Sequence, residues 1–370
     1  MGWSVSAFNW TYALFQVPGG WMADRIGSRL VLAAAITWWS VFTSATGASF
    51  NGTSLAVMRG LFGMGEAAAF PAASRALVRW WPAHRRAFGQ GFQHSGSRLG
   101  AAIAPVLVVF LMTRVGWRAV FYLFGAGGIL VALFWYTYYR DLPHQHFGVN
   151  PEELKLLDAG APPPLVVRPP VPWGRILRSR DLWYLSMMYF CYGWVLWMYL
   201  QWLPTYLAEV RHFAQIRMGI GASIPLLAAT VTNMAGGWIS DALARKWGDL
   251  RRGRVAVSIL GFAIAGIAIL PGVLARDSTT GLACLTVALA GLELTVAVSW
   301  ALCLDLAGDF SGSVTGVMNT LGNLGGALST VMIGHLSTLF GWTVPFLVAS
   351  FLCLVAALLA TRIDPTRSAV

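Results

Sequence analysis

Charged residues are scarce in this chain of 370 residues. Only 11% are Asp, Glu, Lys or Arg, whereas 57% are hydrophobic and the mean hydropathy is +0.63. A soluble domain carries about 25% charged residues, and no soluble fold of this length could bury so much apolar surface. The composition therefore excludes a soluble globular protein and indicates a chain that lies in a lipid bilayer.

Motifs for several kinds of chemistry are lacking as well. The sequence contains no Walker phosphate loop, which opposes direct use of ATP, and no HExxH or other metal-ligand spacing. The four cysteines lie inside apolar segments, where we interpret them as small packing side chains; they are Cys191, Cys284, Cys303 and Cys353. We therefore expect no enzyme, no cofactor and no metal site.

The net charge of +11 suggests nucleic-acid binding, but the arrangement of the basic residues opposes it. Arg and Lys stand in short clusters between apolar runs, nineteen on one set of loops and five on the other. The positive-inside rule makes the richer side cytoplasmic. This pattern predicts a multi-pass membrane protein with a cytoplasmic C-terminus and no nucleic-acid partner. We also expect a monomer in a bacterial inner membrane.

Eleven apolar segments are long enough to cross a bilayer, which takes about 20 helical residues. Backbone groups that face lipid must be hydrogen-bonded within their own element, so an all-α fold is predicted. The expected spans are roughly 3–23, 30–50, 54–77, 87–112, 117–139, 183–208, 216–244, 255–274, 280–306, 312–337 and 342–362.

Two sequence signatures recur at similar offsets. GGWMADRIGSR, at 19–29, returns 217 residues later as GGWISDALARKWG, and GWRAVFYLFGAGG, at 116, returns 225 residues later as GWTVPFLVASF. Such a parallel repeat predicts two pseudo-symmetric helical bundles. We assign residues 1–139 to a five-span bundle, 140–180 to a cytoplasmic Pro-rich connector and 181–370 to a six-span bundle. The first bundle is one helix short at its start, which we interpret as a truncation or, alternatively, a natural eleven-helix variant.

The turn GGWMADRIGSR resembles the signature of the major facilitator superfamily between its second and third helices. Within that superfamily, SAFNWTYALFQVPGG, RGLFGMGEAAAFPA, WLPTYL and GVMNTLGNLGGALS are similar to the anion:cation symporter family. That family includes transporters for galactonate, glucarate, hexuronates, tartrate and phthalate. The resemblance covers nearly the whole chain and implies the major facilitator fold.

Arg59 and Glu66 form the first candidate site. Seven residues place them on one helix face, about 10 Å apart along the axis. Charged side chains in a membrane span usually face the interior or a wet cavity. They are either a static ion pair between helices or a proton-coupling site, and the resemblance implies that Glu66 carries the proton and Arg59 assists.

Arg98 is the second candidate, because a guanidinium matches a carboxylate in a two-pronged way. The alternative is that Arg98 serves as a partner of Glu66 or Glu293. Three further substrate-binding residues, Tyr12, Trp300 and Asn319, are implied by the resemblance to sugar-acid transporters. Glu293 is a candidate only because it is an acid within a span. Asp305 and Asp309, near a helix end, are interpreted as solvated.

The repeated glycine-rich turn is expected to form a cytoplasmic gate. Asp24 can accept hydrogen bonds from a helix N-terminus of the other half, and the turn's arginines can pair across the seam. The alternative is simple anchoring by positive charge. The gate residues are Gly19, Gly20, Asp24, Arg25, Gly27 and Arg29, with Asp241 and Arg245 in the second copy.

These features predict a secondary transporter that carries an organic anion, a sugar acid or related carboxylate, inward with protons by alternating access. The expected partners are that small anion, protons and the lipid bilayer. Two alternatives remain open: a uniporter or efflux protein for a neutral or aromatic compound, and a non-transporting, truncated family member.

Overall fold

A computed structural model describes residues 2–158, 169–211 and 215–369, and these ranges contain helices but no β-strand. Residues 159–168 of the predicted Pro-rich connector lie outside them. The helices are α1 (Gly2–Ile26), α2 (Ser28–Gly47), α3 (Gly52–Glu66), α4 (Ala69–Trp80), α5 (Arg86–Tyr138), α6 (Pro151–Asp158), α7 (Trp173–Ile176), α8 (Arg180–Glu209), α9 (Gln215–Trp247), α10 (Leu250–Leu274), α11 (Ser278–Ala307), α12 (Ser311–Phe340) and α13 (Thr343–Ala360).

Five helical stretches in the described ranges are long and apolar enough to cross a membrane. Two of them hold 56 and 63 residues, far more than the roughly 20 that one crossing needs, and each contains a break. Each therefore suits two crossings. The five stretches are Ser28–Gly47, Ala83–Tyr138, Leu250–Leu274, Ser278–Phe340 and Thr343–Ala360.

The predicted span 54–77 is divided in the structure. Helix α3 ends at Glu66 and α4 begins at Ala69. Pro71 explains the division, because it has no N–H to donate to the carbonyl four residues earlier. The break places Glu66 at the end of a helix rather than in the middle of one.

The predicted repeat is visible in the backbone. Helix α5 bends at Gly116, where φ is 78° and ψ is 159°. Helices α12 and α13 meet at Gly341, where φ is 75° and ψ is 170°. These left-handed values favour glycine, and both glycines open a GW signature. The same device thus joins consecutive helices in each half, as expected of two pseudo-symmetric bundles.

The helices pack in two groups. We call α1–α5 the N-terminal group, in which α1 packs on α3 and α2 on α5, and α8–α13 the C-terminal group, in which α8 packs on α12 and α10 on α11. The groups meet where α1 contacts α12 and where α5 contacts α9 and α11. Arg98, Glu293, Asp24, Asp241 and Asn319 lie at these meeting surfaces. The connector bounds of 140 and 180 stay a prediction.

Candidate functional site

A buried carboxylate from one helix group binds a guanidinium from the other. Glu293, halfway along α11, has a completely buried side chain, and that of Arg98 on α5 is 17% exposed. Arg98 donates from Nη2 to Oε1 of Glu293 at 2.9 Å and from Nε to Oε2 at 3.1 Å. This two-pronged geometry is the strongest form of an Arg–carboxylate pair. Of the partners considered for Arg98, the structure shows Glu293.

Two neutral groups complete the surroundings of the Glu293 carboxylate. The Tyr192 hydroxyl, on α8, donates to Oε1 at 2.9 Å and accepts from Arg98 Nη2 at 2.9 Å. Asn233 Nδ2, on α9, donates to Oε2 at 2.9 Å. Glu293 therefore accepts four hydrogen bonds. Glu293, Tyr192 and Asn233 come from three helices of the C-terminal group, and the cation, Arg98, comes from the N-terminal group.

Aromatic side chains line the adjoining region. The rings of Tyr189 and Tyr192 stack with centroids 4.8 Å apart, and the Tyr189 hydroxyl accepts a hydrogen bond from Trp300 Nε1 at 2.7 Å. Trp300 also packs against Phe70 and His94, at 5.6 and 4.8 Å between centroids. Trp300 is buried, and its indole N–H is already bonded within the protein. A role of Trp300 in substrate binding stays a prediction.

Tyr12 and Asn319 lie on the meeting surface of α1 and α12. The Tyr12 side chain faces Asn319 and Gln16, stacks on Phe8 at 5.4 Å between centroids, and interacts electrostatically with Glu66. Both polar atoms of the buried Gln16 side chain lack a hydrogen-bond partner among the described residues. Tyr189 lies near Tyr12 as well as near Arg98 and Glu293. The candidate substrate residues thus form one continuous region.

Arg59 and Glu66 do not form a direct ion pair within the described part of the chain. The Arg59 guanidinium lies over the rings of Phe8 and Phe62, at 5.1 and 5.3 Å. Glu66 interacts with Arg59 through longer-range electrostatics. The interpretation of this pair as a static bridge between helices therefore has no contact to support it, and both side chains are partly exposed.

Asp24 connects the two helix groups at the C-terminal end of α1. Its carboxylate accepts hydrogen bonds from the backbone N–H groups of Gly312 and Ser313, at 2.9 and 2.6 Å, at the start of α12. A carboxylate is favoured there by the helix dipole. Arg75 lies 3.6 Å from Asp24 and 3.2 Å from Asp309. We call this network the Asp24 seam.

Asp241 makes the corresponding contact from the other group. Its carboxylate accepts a hydrogen bond from the backbone N–H of Phe88, at 2.8 Å, near the start of α5. Arg254, which is completely buried, binds Asp241 at 2.6 Å and Asp305 at 3.0 Å. Arg86 approaches Asp305 to 3.5 Å across the groups. We call this network the Asp241 seam.

The interpretation of Asp305 and Asp309 as solvated is wrong. Both side chains are more than nine-tenths buried and paired, Asp309 with Arg79 at 2.6 Å as well as with Arg75. The reason is tertiary packing, because Asp309 faces arginines of α4 and Asp305 faces Arg254 of α10. Local polarity gave no signal of those partners.

The turn's own arginines do not cross between the groups in this structure. Arg29 donates from Nε to the Tyr136 carbonyl at 2.8 Å, and Arg25 lies over Trp21 at 5.6 Å, so the described contacts of both stay in the N-terminal group. Arg245 does cross and donates to the His84 carbonyl at 3.2 Å. Near the two seams Arg75, Arg79 and Arg86 also cross between the groups, as Arg98 does at Glu293.

The turn's glycines allow close backbone approach. A Cβ on Gly20 would overlap the Gly312 carbonyl of the other group, and one on Gly19 would lie 2.7 Å from Ala68. Gly27 has φ of 103°, and a Cβ there would overlap the Asp141 carboxylate. These glycines therefore shape the Asp24 seam, whereas a gating role for the turn stays a prediction.

A separate groove on the N-terminal group carries no charged residue. It measures about 520 Å³ and lies between α2, α4 and both arms of α5, among Leu77, Trp81, Phe92 and Trp135. Its lining is suited to lipid tails rather than to an anion. The charged residues between the two groups remain the better candidate site.

Two related helix groups that span a membrane and meet around buried charges define a transporter of the two-bundle class. The chain belongs to the major facilitator superfamily, whose family model matches residues 1–330. It is therefore a multi-pass membrane transporter and not an enzyme.

Two curated relatives narrow the comparison. The chain is 36% identical over 367 residues to a probable sulfoacetate transporter, SauU, of Cupriavidus necator, which covers 99% of this chain and 85% of the relative. It is 32% identical over 369 residues to a D-galactonate transporter of Escherichia coli, with 97% and 85% covered. These similarities are consistent with the anion:cation symporter type that the sequence motifs indicate.

Among solved structures, the human organic anion transporter MFSD10 superposes with a TM-score of 0.75 at 18% sequence identity. The match covers 97% of this chain and 83% of that one. At this identity the likeness shows the fold alone.

Proposed function

We propose that this transporter moves a small organic anion, a sugar acid or a related carboxylate or sulfonate, inward together with protons by alternating access. One observation carries the proposal: a partly exposed guanidinium, Arg98, lies between the two helix groups in a family whose similar members are named for sulfoacetate and D-galactonate. Arg98 is bonded to Glu293 in this state, and the same two-pronged geometry suits a carboxylate or sulfonate of a solute.

Each candidate residue has a role in this proposal. Arg98 binds the anionic group, Tyr12 and Asn319 bond to hydroxyls of the solute, and Trp300 forms the wall beside them. Glu66 carries a coupling proton, and Arg59, which interacts with it at longer range, helps to release that proton. A monomer in a bacterial inner membrane, with its C-terminus in the cytoplasm, would perform this cycle.

The Asp24 and Asp241 seams act as the cytoplasmic gate in this proposal. Both are formed in the structure, with carboxylates of each group bonded to helix N-termini of the other. The state described would therefore be closed on the cytoplasmic side. Anion and proton binding from outside would then lead to separation of the two seams.

The test uses proteoliposomes with an inside-acting pH dye and with D-galactonate or sulfoacetate as probes. We expect either probe to cause alkalinisation of the external medium and acidification of the lumen, and Glu66→Gln to abolish both while leaving the protein folded. Glu209→Gln is the matched control, because Glu209 lies exposed at the far end of α8 and bonds only to Trp342 among the described contacts.

Other outcomes decide between the alternatives. Full proton-coupled uptake by Glu66→Gln would remove Glu66 from the coupling role. Uptake that ignores the pH gradient and persists in Arg98→Ala and Arg59→Ala would favour a uniporter. Absence of transport across a wider panel of organic acids would favour the non-transporting alternative.

A further inference from the structure

The proposed cycle leaves one buried acid without a role. Glu293 is completely buried, and a buried carboxylate is tolerated as an anion only when it is paired and hydrogen-bonded. Its only cation among the described residues is Arg98, because Tyr192 and Asn233 are neutral donors. The charge of Glu293 therefore depends on a residue of the opposite helix group.

The surroundings of Glu293 contain no second cation within the described chain that could replace Arg98. From α8 it faces Tyr192 and Tyr189, from α9 the neutral Asn233, and from α5 Arg98, with His94 one turn away. The α10 residues beside α11 here are Gly261 and Ile264. Removal of Arg98 would leave an unpaired buried charge, which is strongly disfavoured.

We infer that Glu293 is a second proton-binding carboxylate and that Arg98 is its exchangeable counter-ion. This rests on the proposed function. When the substrate's anionic group binds the Arg98 guanidinium, Arg98 leaves Glu293, and Glu293 takes up one proton from the water-filled side of the site. On release of the anion, Arg98 returns and the proton leaves. The site thus exchanges one anion plus one proton for the internal ion pair.

The neutral partners suit both forms of this carboxyl group. The Tyr192 hydroxyl donates to the carboxylate and can rotate to accept from the protonated acid, since a hydroxyl both donates and accepts. Asn233 Nδ2 continues to donate to the other oxygen, and its Oδ1 has no partner within the described residues. A protonated Glu293 would therefore remain hydrogen-bonded without Arg98.

The first test needs no substrate. Infrared difference spectra of the purified, full-length protein report the C=O band of a protonated carboxyl group. We expect that band in Arg98→Gln, its loss in the double variant Arg98→Gln/Glu293→Gln, and its absence in Arg98→Lys, where the charge is retained. An Arg98→Gln spectrum that the second substitution leaves unchanged would overturn the inference. Arg98→Ala provides a second variant if Arg98→Gln does not fold.

The second test counts protons that bind with sulfoacetate or D-galactonate in weakly buffered detergent solution. Glu293→Gln should take up one proton fewer per bound anion than the wild type. It should also bind the anion about tenfold more tightly at high pH, because the anion no longer competes with a charged carboxylate. Equal proton uptake in both proteins would contradict the exchange.

The two proposals fail in different ways. Absence of transport by the wild type, with a Glu293 band still present in Arg98→Gln, would refute the symport function and not the proton-binding carboxylate. Intact proton-coupled transport without that band would refute the role of Glu293 and leave the function in place.

Discussion

The Asp24 and Asp241 seams are copies of one sequence motif, yet they are bonded differently. Asp24 accepts two backbone hydrogen bonds from the opposite group, and its neighbour Arg75 also reaches across to Asp309. Asp241 accepts one such bond, and its strongest partner, Arg254, belongs to its own group. The first seam therefore joins the groups, whereas much of the second stabilises the C-terminal group internally.

This difference separates two properties that a gate must combine. In the proposed gate, bonds that cross between the groups would set how firmly it closes, and bonds inside a group would set how rigidly each half presents its surface. Substitutions in the two seams should then affect different peptides by different amounts. The rate of amide hydrogen exchange at the start of α12 reports the Asp24 seam, and the rate at the start of α5 reports the Asp241 seam.

The largest effect is expected for Asp24→Asn. The N–H groups of Gly312 and Ser313 donate to a charged carboxylate in the wild type, and an asparagine side chain is neutral. Hydrogen bonds to charged groups contribute about 2 kcal/mol or more. Exchange at the start of α12 should accelerate about 30-fold, with the α5 peptide as internal control. Equal protection in variant and wild type would show that Asp24 does not hold the seam closed.

Asp241→Asn should have a smaller effect on its own seam. One crossing hydrogen bond, to Phe88, is weakened, at a cost of about 1 kcal/mol, so exchange at the start of α5 should rise about fivefold. Because Arg254 loses one of its two carboxylates, the melting temperature should fall as well. If Asp241→Asn accelerated exchange at the start of α12 as much as Asp24→Asn does, the two seams would not be bonded differently as described.

The smallest effect is expected for Arg86→Gln. Its 3.5 Å contact with Asp305 is long for an ion pair, and Arg254 continues to neutralise that acid at 3.0 Å. We expect a change below about 1 kcal/mol, that is, less than about fivefold in the exchange of either peptide. A shift above that limit would place Arg86 among the residues that close the gate.

Sequence patterns were sufficient for the fold because hydropathy and the repeated glycine signatures are local. They predicted the helices, the two related halves and the helix junctions at Gly116 and Gly341. They missed the division between α3 and α4, where Pro71 acts through a single absent hydrogen bond. A 24-residue apolar run concealed that break.

The candidate site was less predictable. Glu293 was recognisable as an acid within a span, but its bonds to Arg98, Tyr192 and Asn233 join positions 195, 101 and 60 residues away. Tyr192 lies in a segment rich in aromatic residues, so the sequence does not distinguish it as the tyrosine that bonds to Arg98 and Glu293. The same holds for Asp305 and Asp309, whose partners come from other helices.

The contact of Gly20 with Gly312 has a mechanical consequence. Two backbones touch there with no side chains between them, so in the proposed cycle the surfaces would part and meet again without any rotamer change. The glycine contact itself would offer little resistance to separation, and the hydrogen bonds from Gly312 and Ser313 to Asp24 beside it would hold the two groups together. A single methyl group at either glycine would overlap the backbone carbonyl of the other and would keep the two helix groups apart.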